Sequence, residues 1–261
     1  MPPSRRKVVL VLPVYGAFDY AALSASSFLE STEDSGVLWI DDASPEPAPE
    51  RQLEVLNTRY GDRLEFRRLP SNVGVTRVWE SGLELADALG FEFAICGNSD
   101  VFCPKGFWRP IEALLRGGWD LVGPLTNAPG SQNPERQHIR SVYREYAAGL
   151  DDPAYLRYVV EWLRDNAPAD VLEVGVNGFF MASRVDRWLR GKLENNGFVF
   201  NPAARYRMVG SEDELQARWR SVGARIGVSL RSFVFHYRSV TRGDRHLRGD
   251  WHRRRDSVGG S

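Results

Sequence analysis

The chain has 261 residues, and its 34 basic side chains are matched by 34 acidic ones, so no global basic field argues for nucleic acid as a partner. With 43% hydrophobic residues it can bury one large core or two modest ones, and it contains neither an extended low-complexity stretch nor an apolar run long enough for a membrane span. The two cysteines, Cys96 and Cys103, fit buried reduced thiols in a cytoplasmic protein, and peripheral attachment to the inner face of a membrane stays compatible with that.

Arg5, Arg6 and Lys7 precede the apolar run Val8 to Leu12 as in a secretory signal, but the run is short and Pro13 breaks it. Val8 to Val14 reads instead as a first strand covered on both faces, followed by an amphipathic helix over Phe18 to Glu30. Val37 to Ile40 repeats the buried-strand pattern and ends in Asp41-Asp42-Ala43-Ser44-Pro45. A helix around Glu50 to Tyr60, a short strand at Leu64 to Arg67 and a loop with Pro70, Asn72 and Gly74 come next. Apolar residues at helical spacing over Val75 to Leu89 then deliver the chain to the strand beginning at Phe93. This β-α-β-α-β-α-β alternation predicts a three-layer α/β domain with a mainly parallel central sheet, whose ligands bind beyond the carboxyl ends of the strands. Tyr15-Gly16, Asp41-Asp42 and Asn98-Ser99-Asp100 are thereby expected to converge on one crevice.

The stretch Phe93 to Phe102 runs from apolar residues straight into Asn98-Ser99-Asp100 and breaks at Pro104. In an extended segment Asn98 and Asp100 project together while Ser99 points away. One carboxylate beside one amide suits a divalent ion whose other ligands are waters and phosphate oxygens. A turn in which Asp caps the next helix is the competing reading.

After Leu121-Val122-Gly123 the alternation lapses, and the polar segment Thr126 to Asp151 is expected to form a binding loop. A helix near Pro153 to Asp165 follows, then an apolar strand region, Val174 to Ala182, interrupted by Asn177-Gly178. Ser211-Glu212-Asp213-Glu214 fits a capping box opening a helix to about Val222. A last strand, Ser232 to Phe235, ends in His236, and Arg238 to Arg255 is an Arg-rich tail. Residues 1–243 are expected to form one domain, with a nucleotide-binding half to about 123 and an acceptor-binding half from about 124, and 244–261 a flexible end.

There is no Walker-type loop, no G-x-G-x-x-G, no metalloprotease helix and no G-x-S-x-G elbow. In order along residues 8 to 243, however, stand Leu12-Pro13-Val14-Tyr15, Ile40-Asp41-Asp42-Ala43-Ser44, Asn72-Val73-Gly74, Asn98-Ser99-Asp100, Asn177-Gly178-Phe179-Phe180, Glu212-Asp213 and His236-Tyr237-Arg238-Ser239-Val240-Thr241-Arg242-Gly243. This ordered set resembles the inverting glycosyltransferases of the GT-A fold, in particular family 2.

The resemblance implies a metal-dependent enzyme that moves a sugar from a UDP-, GDP- or dTDP-linked donor to the hydroxyl of a glycan, lipid-linked or small-molecule acceptor. It places Pro13, Val14 and Tyr15 against the base, with Asp42 accepting from a base N–H. Asn72, Asn98, Ser99 and Arg242 are placed near the rest of the donor, Arg242 on a segment closing over the diphosphate. Asp100 and His236 would hold Mn2+ or Mg2+, the imidazole favouring Mn2+. Asn98 stands where the family has Asp, leaving Asp100 as the one anionic ligand of that turn. Asn177 and Gly178 would meet the acceptor, and the base is Asp213 or Glu212, with Asp213 preferred. The competing readings are a catalytically lapsed nucleotide-sugar-binding protein and a sugar-nucleotide pyrophosphorylase, although the Gly-rich loop of the latter is missing after the first strand. A homo-oligomer is compatible with the sequence.

Overall fold

The computed structural model describes residues 7–129, 137–146, 153–192, 197–201 and 210–237. Its first strand, β1 (Val8–Val14), lies between two parallel neighbours, β2 (Ser35–Asp41) and β4 (Phe93–Gly97), and β3 (Leu64–Arg68) extends the sheet beyond β2. On the other side come β6 (Leu121–Leu125), β7 (Val171–Leu172), β8 (Phe180–Arg184) and β9 (Ile226–Phe233), giving the order β3-β2-β1-β4-β8-β6-β9-β7. Only β8 and β7 run against their neighbours among the described strands of this sheet. The expectation of a mainly parallel α/β sheet holds.

Both faces are covered, which is why β1 is apolar throughout and buried at every position but Pro13. Val9 and Val11 join one core cluster with Trp79, Trp188, Trp219 and Phe233, while Val8, Leu10 and Leu12 join the other with Phe28, Trp39, Phe93 and Phe107. Alternation along a strand sends successive side chains into opposite layers. The helices supplying those layers are α1 (Phe18–Ser31), α2 (Glu50–Tyr60), α3 (Val75–Ala88), α4 (Trp108–Arg116), α5 (Pro153–Asn166), α6 (Val185–Arg190) and α7 (Ser211–Ser221). α3 sits so close to β1 that a Cβ on Gly82 would fall 2.1 Å from Val11 Cγ1. Among the described residues no helix is long and apolar enough to cross a membrane.

Four local expectations are corrected. The strand expected to run through Asp100 stops at Gly97; residues 98–100 turn, and Val101–Phe102 (β5) pairs antiparallel with β10 (Phe235–His236) outside the main sheet. Asn177-Gly178 does not interrupt a strand but precedes β8, which starts at Phe180. The final sheet strand begins at Ile226, and His236 lies in the short β10 beyond it. At α7 the capping box is not formed: Gly210 is the cap residue, and its carbonyl accepts from the Asp213 and Glu214 N–H groups without a side-chain cap. The tail, Arg242 within it, and residues 130–136 and 147–151 of the expected binding loop lie outside the described residues.

The turn after β4 is fastened by a row of serines on α1. Ser24 Oγ accepts from the Val101 N–H at 3.0 Å and lies within hydrogen-bonding distance of the Ser99 and Val101 carbonyls. Ser27 Oγ accepts from the Cys103 N–H, and Ser31 Oγ donates to the Cys103 carbonyl. At spacings of three and four residues these hydroxyls share one helix face. They satisfy backbone groups that the departing chain would otherwise bury unpaired.

Candidate active site at the carboxyl ends of the strands

The ends of β1 and β2 are tied together by the Asp42 N–H, which donates to the Val14 carbonyl at 2.8 Å, and by the Gly16 N–H, which donates to Ser44 Oγ at 2.8 Å. Asp41 is fully buried; its Oδ1 accepts from the Ser44 N–H and hydroxyl, and Oδ2 pairs with Arg68 at 3.4 Å. Asp41 is therefore the turn-forming member of the acidic pair. Asp42 does something different: Oδ1 accepts from the Val73 N–H at 2.7 Å and Oδ2 from the Gly74 N–H at 2.8 Å. A carboxylate has about four lone-pair sites, so each oxygen keeps one for a ligand. Asn72 is exposed beside these contacts, Pro13 is half-buried, and the Val14 side chain is buried. Tyr15 is 47% exposed at the tip of β1, an aromatic face uncovered by protein.

The second strand end gathers three of the expected residues. His236 Nε2 lies 3.3 Å from Asp100 Oδ1 and 3.4 Å from Asn98 Nδ2, with Ser99 buried between its two neighbours in sequence. The other ring nitrogen, Nδ1, is 2.9 Å from the Ala128 carbonyl, which only accepts, so Nδ1 carries the hydrogen. In the neutral ring Nε2 then bears a lone pair aimed at a carboxylate oxygen, and two acceptors at that distance call for a proton or a cation between them. The donor set of one carboxylate and one imidazole fits a divalent first-row ion. Among the described residues there is no group of three or more His, Cys, Asp and Glu side chains placed to hold a metal, so further ligands would come from Asn98, water or phosphate.

The third part is the turn before β8. The Asn98 N–H donates to the Phe179 carbonyl at 2.9 Å, and the Phe179 ring stacks on His236 with centroids 4.9 Å apart, so this turn lies directly against Asn98 and His236. Asn177 is held by Gln137, whose Oε1 accepts from the Asn177 N–H at 3.0 Å and from Nδ2 at 2.8 Å. Gln216 brackets Val176, accepting from its N–H and donating to its carbonyl, and also donates to the Glu212 carbonyl. A Cβ on Gly178 would stand 3.0 Å from Glu212 Oε1, whereas one on Gly210 would stand 2.8 Å from Asp213 Oδ2. That Gly210 Cβ would also stand 3.1 Å from Glu212 Oε2, so both acids lie at the helix start and Glu212 reaches the Gly178 turn as well.

Four residues of this arrangement carry no local sequence signal: Ser24, Asn127, Gln137 and Gln216 act through partners far away in the chain. A further buried carboxylate, Glu80 on α3, accepts from the Phe200 N–H at 2.6 Å; burial pushes its pKa up. Burial also pushes the Cys96 and Cys103 thiols well up, which keeps them protonated and unreactive.

No family model and no curated protein matches the chain. Solved structures do. GalNAc-T7 with UDP, GalNAc and Mn2+ is similar at a TM-score of 0.60 and 14% identity, over 88% of this chain and 43% of that one. S. aureus TarS 1–349 is similar at a TM-score of 0.53 and 16% identity, and its complex with UDP at 0.54 and 15%, each over 88% of this chain and 60% of that one. The chain therefore spans less than two thirds of the length of each. Identities this low carry the fold and leave specificity to the site's own residues. With its mainly parallel sheet between two helical layers and this likeness, the chain has the GT-A fold of glycosyltransferases.

Proposed function

We propose that the protein transfers a sugar from a nucleotide-sugar donor to an acceptor hydroxyl, with a divalent cation and with inversion at the anomeric carbon. The observation that carries this reading is His236 Nε2 facing Asp100 Oδ1 at 3.3 Å, at the carboxyl end of β4 in a GT-A fold. UDP is the favoured nucleotide, since GalNAc-T7 and TarS are both described with it.

The exposed face of Tyr15 offers the base a stacking surface, and Asp42 keeps lone pairs for a base N–H while fixing the loop at Val73 and Gly74. Asp100 and His236 would hold Mn2+ or Mg2+, which when bound neutralises diphosphate charge and so stabilises the leaving group. Asn177 and Gly178 form the acceptor side. Because its carboxylate rests on Gly178, Glu212 is the proton acceptor in this proposal, and Asp213 shapes the start of α7. The acceptor oxygen bonds to the anomeric carbon as the bond from that carbon to the diphosphate oxygen breaks; the nucleoside diphosphate leaves with the electron pair, and the acceptor proton passes to Glu212.

A thermal-shift panel of UDP, GDP and dTDP sugars with Mn2+ or Mg2+ tests the donor site, because ligand at a hundred times its Kd stabilises by about 2.7 kcal/mol. Release of UDP from the stabilising donor, measured with Mn2+ present and after chelation, separates an enzyme from a protein that only binds nucleotide sugars. Binding without turnover on any hydroxyl acceptor or water would overturn the catalytic part.

A further inference from the structure

His236 is held by the first residues of the segment that the sequence marked as a binding loop. The Asn127 side chain spans the His236 backbone, accepting its N–H at Oδ1 (2.8 Å) and donating from Nδ2 to its carbonyl (3.1 Å), as a neighbouring strand would. The next residue, Ala128, presents the carbonyl that takes Nδ1–H at 2.9 Å. Thr126 completes the cradle: its hydroxyl lies 3.3 Å from Asn127 Oδ1 and 3.4 Å from the Ala128 N–H. Thr126 is itself anchored by backbone bonds to Gln137 and Ile139, so the cradle is a braced part of the fold. The imidazole is also stacked on Phe179, at 15° between planes.

We infer that Asn127 is a positioning residue for the cation site, acting through His236. By docking its amide on the His236 backbone it brings the Ala128 carbonyl into register with Nδ1, which selects the Nδ1–H tautomer and leaves the Nε2 lone pair directed at Asp100. The inference rests on the reading of Asp100 and His236 as the ion-holding pair. An outer hydrogen bond to the non-ligating nitrogen of a metal-binding histidine fixes tautomer and ring orientation, and its loss costs about tenfold to a hundredfold in metal affinity.

The test uses the full chain and two readouts. Nitrogen-15 NMR of the metal-free protein, with the His236 signal assigned by His236→Ala, reports which ring nitrogen carries the hydrogen; titration with Mn2+ alone, and with Mn2+ plus UDP, reports affinity. Wild type is expected to show the Nδ1–H form, and Asn127→Ala a mixture of tautomers with Mn2+ binding weakened about tenfold to a hundredfold. A folded Asn127→Ala protein with the wild-type tautomer and affinity overturns the inference. If that variant does not fold, Asn127→Asp, which keeps the oxygen for the His236 N–H and loses the donor to its carbonyl, is read in the same way. Failure of the site reading is distinguishable: His236→Ala would then bind Mn2+ like wild type, while the tautomer measurement would still judge Asn127.

Discussion

Gly178 and Glu212 face each other at the start of α7: a Cβ on the glycine would stand 3.0 Å from Oε1 of the glutamate. The absent side chain is what lets the acid that opens α7 lie over the turn. Gly178→Ala should therefore fold, since the flexible end of Glu212 can give way, yet displace the carboxylate. Turnover is expected to fall by up to about a hundredfold, the scale of a roughly 1 Å misplacement, with UDP binding unchanged. Unaltered turnover would show that Glu212 need not rest there.

Glu212→Gln should keep the fold and donor binding and lose about a hundredfold or more in turnover, the usual contribution of a general base. Asp213→Asn should retain most activity, because its carboxylate turns towards Gly210. The reverse pattern would return the base role to Asp213. NMR of the product should show the anomeric configuration opposite to that of the donor; retention would rule out a single displacement.

Asp100→Ala should abolish the Mn2+-dependent part of UDP binding, measured as the thermal shift with and without chelator. Asp42→Ala is expected to act on the donor KM instead, since it holds the Val73–Gly74 loop and is proposed to face the base and not the reacting bond. A pure kcat defect in Asp42→Ala would contradict its placement.

Glu80 predicts a pH dependence of stability. Burial raises its pKa in the folded state, so above the ordinary glutamate value of about 4.3 the folded protein holds a proton that the unfolded chain has released. The contribution is fully present below that value and is lost as pH rises through the raised one. Glu80→Gln keeps an oxygen for the Phe200 N–H and has no proton to lose. Urea midpoints of wild type should accordingly fall relative to those of Glu80→Gln as pH is raised from about 4 towards neutrality. Parallel pH curves for the two proteins would place the ionised carboxylate comfortably in the fold.

The sequence made the architecture legible because a strand covered on both faces must be apolar throughout, as Val8 to Val14 is once Pro13 argues against a signal. It also brought Asp100, Asn98 and His236 into one proposal, through motif order. Only the resemblance singled out Asp42 over Asp41, since the two are chemically identical neighbours that differ only in their partners, Ser44 and Arg68 for one and the Val73–Gly74 loop for the other. The same limit applied to Glu212 and Asp213. α4 escaped notice because Pro104, Gly106 and Pro110 punctuate its approach and first turn, although proline is tolerated there. Gln137 and Gln216 look like ordinary polar residues until the fold buries their amides against the turn at Val176 and Asn177.

The serine row of α1 also bears on how the molecule assembles. Ser24 meets the backbone on either side of Asp100 across sequence separations of 75 and 77 residues, with β2, β3 and their helices in the intervening chain. Contacts of such range are closed against a large loop entropy and come slowly relative to local structure. The turn that carries Asp100 is thus expected to form late in folding, and a partly folded chain lacking the β1–α1 unit would carry Asp100 without the means to aim it.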